Sequence, residues 1–386
     1  MYYKIMTTSI LAPIGTQYYQ IVNLIFGYPQ KPKPKEKIYV IGNGWASYYF
    51  VKNLNKHMYE PIIIAPNKKV LNTPKLVNYL LDSNEVVEFP NPYAEIIPDM
   101  LEDINLDKKI LITKSGSSYP YSKVVLAIGS EPNDFGIPGV ESHTYKFKTI
   151  QDANLLRDRL YSSTINNQIY VVGSGITGIE LASKIGKVFN VKVIEGFGTI
   201  LPGHDDLTKN IIRQHLEQTQ RYIDIQTNTM VKSIGDNSID LMINNNKIVL
   251  NFDNKKDLIV WTGGVRFNGF GKTKLFNKLN TITPIKPRGL DVGEDFSLKP
   301  NFPIYCIGDM VANAGPPSAQ NARIQGEWLA MYFNSGFDNK YFQTNKFEST
   351  SKGKLVHLVN DIYLESEYYS GFIPGIIDNI IEWINK

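Results

Sequence analysis

The sequence predicts an α/β protein of two domains, each built on a parallel sheet, with the second domain inserted in the first. Three observations lead to this prediction. A β-rich run, a glycine-rich turn and a helix-like segment follow one another twice, near residues 42 and 173. Apolar runs that end in glycine occur between and after these two units. Strands that alternate with helices favour parallel sheets, and 386 residues are enough for two or three domains with their own cores.

The more complete unit spans residues 169–195 and begins with IYVVGSGITGIE. Gly173 allows a tight turn, Gly175 lets the backbone approach a pyrophosphate, and Gly178 lets the helix pack closely on the strand. Free amides at the helix N-terminus point at the phosphates. A second strand ends in Glu195, seventeen positions after Gly178 (195 − 178), where an acid reaches a ribose 2′-hydroxyl. No Arg follows it in EGFG, and an acid repels a 2′-phosphate, so the unit predicts NADH rather than NADPH.

The first unit, IYVIGNGWASYYF, has Gly42 and Gly44 at the first two glycine positions and Ser47 at the third. The packing at the third position requires a small residue, so serine is compatible with it. The following strand ends on Ala65, where many such units place a ribose-binding acid. Taken alone, this unit leaves open whether a nucleotide binds.

Two further segments have the pattern of crossings between nucleotide domains. Residues 124–140 form an apolar strand and then a glycine-rich stretch that includes Gly129. Residues 257–265 repeat this pattern, with a strand followed by Gly263 and Gly264. The first crossing leads the chain out of one domain, and the second returns it after the insertion.

A third apolar strand, within residues 302–312, ends in Gly308 and Asp309. An acid at the carboxyl end of a strand, with a helix N-terminus behind it, is well placed to accept hydrogen bonds from ligand hydroxyls. The alternative for Asp309 is a simple helix cap.

The order of these segments predicts the domain organisation, with both domains Rossmann-like. The predicted limits are an N-terminal segment and linker at 1–35, a first nucleotide domain at 36–145 and 266–335, an inserted domain at 146–265, and a C-terminal region at 336–386. The chain ends in FIPGIIDNIIEWINK, which predicts a short amphipathic helix with isoleucines on one face. Two placements stay open for this helix: packing on the body or on the partner of a homodimer, and contact with a membrane surface.

Composition excludes several classes of function. A net charge of +4, spread along the chain, does not indicate a nucleic-acid partner. Cys306 is the single cysteine, so the chain has neither a disulfide framework nor a redox-active Cys-x-x-Cys, and the five histidines lack metal-ligand spacing. Residues 1–30 show no clear signal or transit peptide and no membrane-spanning run. An intracellular protein, soluble or peripheral on a membrane, is expected.

Six dispersed segments, in order, resemble the type II (alternative, non-pumping) NADH dehydrogenases, which are flavoproteins with two dinucleotide domains. The similarity covers about residues 37–335. The matching segments are GNGWAS, APNKKVLNTPKL, IGSEPNDFGIPGV, GSGITGIE, WTGG and IGDMVANAGPPSAQNA.

This resemblance implies bound FAD in the first domain, NADH in the inserted one, and electron transfer from NADH through FAD to a quinone. It places Asp309 on the ribityl chain of FAD, and Glu180 near the stacked nicotinamide and flavin as the catalytic candidate. The other residues that the resemblance adds to the cofactor and quinone sites are Trp45, Thr73, Pro74, Ala319 and Gln320. The cofactors carry the redox chemistry, so no nucleophile and no metal are expected.

The sequence also departs from the family pattern. The family's quinone segment is Ala-Gln-x-Ala-x-Gln, but here Ile324 occupies the last position and Gln325 follows it. A shift of one residue on a helix rotates a side chain by about 100°, so Gln325 is not expected to replace that glutamine. Two alternatives to a quinone reductase therefore stay open: a soluble NADH-dependent flavoprotein reductase with another acceptor, and a protein that binds FAD and NADH without turnover.

Overall fold

A computed structural model describes residues 34–162, 168–219, 222–300, 302–337 and Phe347, and the backbone of three strands between 356 and 370. The amphipathic helix predicted for the C-terminus and the segment 1–33 lie outside the described residues. The strands are β1 (Glu36–Ile41), β2 (Tyr59–Ile64), β3 (Lys69–Leu71), β4 (Glu88–Pro90), β5 (Glu95–Ile97), β6 (Leu101–Asn105), β7 (Ile110–Thr113), β8 (Ser118–Pro120), β9 (Lys123–Leu126), β10 (Ser130–Pro132), β11 (Tyr145–Lys146), β12 (Gln168–Val172), β13 (Asn190–Ile194), β14 (Ile223–Gln226), β15 (Thr229–Ile234), β16 (Ser238–Ile243), β17 (Asn246–Asn251), β18 (Leu258–Trp261), β19 (Val265–Phe267), β20 (Ile304–Cys306), β21 (Val356–Leu358), β22 (Asp361–Leu364) and β23 (Glu367–Ser370).

The described helices alternate with these strands. They are α1 (Trp45–Asn53), α2 (Leu76–Leu81), α3 (Val140–His143), α4 (Ile150–Leu160), α5 (Ile176–Ile185), α6 (Asp206–Thr219), α7 (Lys274–Ile282) and α8 (Ala319–Asn334), and a 3₁₀ turn, Thr73–Lys75, leads into α2.

Two parallel five-stranded sheets organise the fold. The first has the order β20-β9-β1-β2-β5 and the second the order β11-β18-β12-β13-β14. The pairs β20-β9, β9-β1 and β2-β5 of the first sheet and every pair of the second sheet are parallel, as is typical of buried apolar strands connected by helices. The predicted α/β class with two Rossmann-like domains is confirmed. The strands of the second sheet come from within the sequence between β9 and β20, so the second domain is an insertion.

Smaller antiparallel sheets surround these two. Strands β6-β7-β8 form one of them and lie between β5 and β9 in the sequence. Strands β15-β16-β17 form another within the inserted domain, and β3 pairs with β4. Strands β21-β22-β23 form an antiparallel sheet in the C-terminal region that the sequence analysis did not predict, and β21 lies beside α5. The crossing strands β10 and β19 pair with each other and, in the part of the chain that the structure describes, with no other strand.

Three apolar clusters form the core. The largest contains the first sheet with α1 and α8, and the other two lie on the opposite faces of the second sheet. Helices α1 and α8 cross in backbone contact, since a Cβ on Gly326 would lie 2.4 Å from the carbonyl oxygen of Ala46. Helix α2 contributes Leu76, Val77 and Leu80 to a core cluster of the inserted domain, although it precedes that domain in sequence. The domain limits of the sequence analysis stay a prediction.

Candidate functional site

The first glycine-rich loop is closed against the first crossing. Gly42 has a φ of +103°, and a Cβ there would lie 2.3 Å from the carbonyl oxygen of Ala127. Ser47 is fully buried, and its hydroxyl donates a 2.6 Å hydrogen bond to the carbonyl oxygen of Gly42. Serine at the third glycine position thus ties α1 to the turn that precedes it.

The second loop has the same construction with glycine at the third position. Gly173 has a φ of +102°, and a Cβ on Gly178 would lie 2.0 Å from the carbonyl oxygen of Gly173. The hydroxyl of Thr262, on the returning crossing, donates to that oxygen at 2.9 Å. In the first loop Ser47 donates to the carbonyl oxygen of the turn glycine, whereas in the second loop Thr262 of the returning crossing does so. Glycine at position 178 lets α5 pack closely on the turn.

The N-termini of α1 and α5 are open. Their N-cap residues are Gly44 and Gly175, neither helix has a side-chain cap, and a Cβ on either glycine would meet no heavy atom within 4 Å. By contrast, side chains cap the three helices α4, α7 and α8. An uncapped N-terminus leaves amide donors and a positive dipole end available to an anion. Both loops therefore fit the pyrophosphate of a dinucleotide.

Asp309 brings three parts of the chain together at the end of the first sheet. Its Oδ2 accepts a 2.9 Å hydrogen bond from the hydroxyl of Ser130, which follows Gly129, and lies 3.2 Å from Nζ of Lys148. The side chains of Lys148 and Asp309 are 28 % and 17 % exposed. Sequence reasoning missed Ser130 and Lys148, because neither belongs to a glycine motif and only the fold brings them to Asp309.

Gly308, beside Asp309, is held by the helix that follows. Its φ is +83°, and its amide donates a 2.6 Å hydrogen bond to Oε1 of Gln325. Gln325 is 1 % exposed and also donates to the carbonyl oxygen of Ala314. Gln325 therefore faces the core, which agrees with the rotation expected for a one-residue shift. Ile324, Ala319 and Gln320 are half-buried near the start of α8.

Glu195 is buried at the end of β13, beside the second loop. Its Oε2 accepts hydrogen bonds from the amide and the hydroxyl of Ser174, at 2.8 and 2.6 Å, and its Oε1 accepts from the amide of Phe197 at 2.8 Å. These bonds fix the carboxylate next to the position expected for a ribose. The Phe197 side chain is 65 % exposed next to it.

The remaining predicted residues lie around these two loops. Thr73 and Pro74 form the 3₁₀ turn before α2, so the core of the inserted domain anchors the segment that follows them. Glu180 is half-buried on α5. Trp45, the first residue of α1, stacks on Tyr49, and its indole Nε1 is buried without a hydrogen-bond partner among the described residues.

The returning crossing is fixed by an aromatic residue. A Cβ on Gly263 would lie 2.9 Å from the ring of Trp261, and Nε1 of Trp261 donates a 2.7 Å hydrogen bond to the carbonyl oxygen of Asn133 in the first crossing. Gly264 has a φ of +134°, and its carbonyl oxygen accepts from the amide of Asn133. The two predicted crossings therefore contact each other directly.

The single cysteine of the chain lies in the protein core. Cys306 is fully buried in β20, and burial raises the pKa of its thiol, which keeps it protonated. No group of acidic, histidine or cysteine side chains that could hold a metal ion occurs in the part of the chain that the structure describes. Among the same residues, no helix combines the length and apolar character needed to cross a bilayer.

Comparison with known protein families agrees with this geometry. The family described as pyridine nucleotide-disulphide oxidoreductase matches residues 36–326, which is well over half of the chain. The chain belongs to this family. Unlike the members that give the pyridine nucleotide-disulphide oxidoreductases their name, it has a single, buried cysteine and so lacks a redox disulfide.

The chain is also similar to individual proteins whose names give an activity. The chain is 26 % identical to external NADH-ubiquinone oxidoreductase 2, mitochondrial, of Saccharomyces cerevisiae, in a match covering 88 % of this chain and 69 % of the yeast protein. It is 26 % identical to a probable NADH dehydrogenase of Dictyostelium discoideum, covering 78 % and 74 % of the two chains. The fold is similar to that of NDH2 from Plasmodium falciparum in complex with NADH, with a TM-score of 0.77, 19 % identity, and coverage of 90 % and 94 %.

Proposed function

We propose that the chain is a flavoprotein that oxidises NADH and passes its electrons to a quinone. The observation that supports this most directly is the pair of uncapped helix N-termini, α1 and α5, each at the carboxyl end of a parallel sheet and each behind a glycine turn that no side chain fills. Two such sites in one chain fit one resident and one exchangeable dinucleotide. The names of the yeast and Dictyostelium relatives support NADH as donor, and that of the yeast protein supports a quinone as acceptor.

The residues have separate roles in this proposal. The loop of Gly42, Gly44 and Ser47 binds the pyrophosphate of FAD, and Asp309 binds hydroxyls of its ribityl chain, with Ser130 and Lys148 holding the carboxylate in place. The loop of Gly173, Gly175 and Gly178 binds NADH, with Glu195 on the ribose. Glu180 lies on the helix that starts at this loop, and the resemblance places it by the nicotinamide. FAD, when bound, supplies the hydride-accepting chemistry, and the chain supplies orientation and exclusion of water.

Glu195 should decide the preference for NADH over NADPH. We expect Glu195→Gln to lower the ratio of kcat/KM for NADH to that for NADPH at least tenfold, because the charge that repels a 2′-phosphate is lost while the side-chain shape is kept. A tenfold change in this ratio corresponds to a change of about 1.4 kcal/mol in the relative transition-state binding of the two substrates. The matched control is Glu217→Gln, which makes the same chemical change at an exposed ion pair on α6, outside the second loop. Equal use of both cofactors by the unmodified protein would contradict the assignment.

A second candidate is a flavoprotein reductase with an acceptor other than a quinone. Ile324 in place of the family's glutamine favours it, because Gln325 is bound to Gly308 and Ala314 in the core and cannot reach the same position. Two measurements distinguish the candidates: whether a quinone reoxidises the reduced flavin, and whether the protein sediments with liposomes. A quinone reductase needs access to a lipid phase, and the helix predicted near the C-terminus would provide membrane contact, whereas a homodimer would bury it instead.

The reductive half of the proposed reaction can be tested on its own. Purified protein should contain FAD, and stoichiometric NADH should bleach its absorbance in the absence of oxygen. Protein that lacks FAD, or whose flavin NADH does not reduce, would overturn the proposal in favour of a binding protein without turnover.

A further inference from the structure

The two crossings form a ribbon that connects the flavin site to the NADH loop. We define the connecting ribbon as residues 130–134 and 263–267. At one end, Ser130 donates to Asp309 in the proposed flavin site. At the other, the backbone of Asn133 is bonded to Trp261 and Gly264 of the inserted domain. Any change in the pairing of these strands therefore moves the two sites relative to each other.

Backbone pairing alone holds this ribbon poorly. Strands β10 and β19 have three residues each and, among the described residues, form a sheet of two strands that joins no larger one; the amide of Phe267 also donates to the carbonyl oxygen of Pro287. Isolated two-stranded pairs are marginal in water, so side-chain contacts between the strands contribute to fixing the register. The pairing places Glu131 directly opposite Arg266.

Arg266, on β19, binds two carboxylates of the facing part of the ribbon. Its Nε donates to Oε1 of Glu131 at 2.8 Å, and its Nη1 donates to Oδ1 of Asp134 at 2.8 Å. The side chain of Arg266 is only 12 % exposed, and those of Glu131 and Asp134 are 26 % and 21 % exposed. The second carboxylate oxygen of Glu131 accepts from the amide of Gly269, just beyond the ribbon. The rigid fork of a guanidinium can hold two carboxylates at fixed positions, which a lysine cannot.

The charges around the ribbon indicate that Glu131 and Asp134 depend on Arg266 for their position. The amide of Gly136 and the guanidinium of Arg266 lower the pKa of Asp134. Without Arg266, two half-buried carboxylates would remain close together, and only the more distant charge of Lys272 would still act on Asp134. Removal of one member of a partly buried charge network leaves the others unpaired, and the segment relaxes to solvate them.

We propose that Arg266 is a positioning residue that clamps the connecting ribbon and thereby fixes the NADH loop relative to the flavin site. This inference rests on the proposed function, since it assigns Arg266 a role in hydride transfer from NADH. The hydrogen bonds of the Arg266 guanidinium go to Glu131 and Asp134. It acts through Glu131 and Asp134 on the residues that border both sites.

The test compares Arg266→Gln with Arg266→Lys and with the control Arg213→Gln, which removes an exposed helical ion pair on α6. In rapid-mixing experiments without oxygen, Arg266→Gln should slow the limiting rate of flavin reduction on the order of tenfold, because small misplacements of reacting groups have large effects. Its dissociation constant for NADH and its FAD content should stay within about twofold of the unmodified protein, and Arg266→Lys should recover part of the rate. Arg213→Gln should match the unmodified protein.

Hydrogen exchange provides a readout that does not depend on turnover. The amide of Asn133, bonded to Gly264, should exchange at least tenfold faster in Arg266→Gln than in the control. Unchanged exchange and an unchanged reduction rate would overturn the proposal, as would a rate that falls only in proportion to lost FAD or lost NADH affinity. If Arg266→Gln does not fold, the same assays are made on Glu131→Gln, which keeps the contact between Arg266 and Asp134. The same two results would then support or overturn the proposal. If NADH does not reduce the unmodified protein, the proposed function fails, and faster exchange would then leave only a structural clamp.

Discussion

Replacing Gly42 by Ala should give a folded protein that holds little or no flavin. A Cβ at this position would lie 2.3 Å from the carbonyl oxygen of Ala127, and contact without strain begins near 3.4 Å. The turn or the first crossing must therefore move by roughly 1 Å, which disturbs the cradle of a pyrophosphate. A positive φ adds about 1–3 kcal/mol of backbone strain for alanine.

The matched control for this variant is Gly116→Ala. Gly116 has a similar φ of +89°, but a Cβ there would meet no heavy atom within 4 Å. It carries the strain of the conformation without the steric conflict, so its FAD content should equal that of the unmodified protein. The measurement is the ratio of flavin absorbance to protein absorbance after purification, together with thermal unfolding to show that both variants fold. Full FAD in Gly42→Ala would show that the first loop is not the flavin site.

Gly178→Ala should have the complementary effect, with FAD retained and reduction by NADH lost. A Cβ on Gly178 would lie 2.0 Å from the carbonyl oxygen of Gly173 and 2.7 Å from Oγ1 of Thr262. Helix α5 must withdraw from the loop, which carries its open N-terminus away from the phosphates. We expect kcat/KM for NADH to fall by a factor on the order of a hundred or more, because a displacement of about 1 Å can cost that much.

The flavin of Gly178→Ala serves as its internal control. Its FAD content should match the unmodified protein, and dithionite should still bleach the flavin, which shows that only the NADH side is affected. Thr262→Ser keeps the hydroxyl that bonds Gly173 and removes only a methyl group, so it should retain most of the activity. Normal reduction of Gly178→Ala by NADH would contradict the assignment of the second loop.

The two glycine loops could be predicted from sequence because their requirements are local. Gly42 and Gly173 have φ angles of +103° and +102°, and a Cβ on Gly178 would meet the carbonyl oxygen of Gly173 a few positions earlier; such requirements leave a short pattern in the sequence. The order of the apolar strands also predicted the inserted domain. Both predictions depend on neighbouring residues and need no knowledge of distant contacts.

The parts that sequence did not predict depend on contacts between distant segments. Lys148 reaches Asp309 across 161 positions, and Arg266 reaches Glu131 across 135. Helix α2 joins the core of a domain that starts later in the chain, because its apolar face is complementary to α4 and α5. The antiparallel strands β21 to β23 have the short sequences VHL, DIYL and EYYS, which lack a clear strand period. Periodicity cannot show which partner such segments will meet.

The most direct test of the central claim is an anaerobic titration with NADH followed by a water-soluble, short-chain quinone. NADH should bleach the flavin absorbance, and the quinone should then restore it rapidly, with one quinone reduced for each NADH oxidised. This result would establish transfer from NADH through the flavin to a quinone and would show that Ile324 permits it. Bleaching without recovery on adding quinone would contradict the quinone as acceptor and leave an NADH-dependent flavoprotein with a different one.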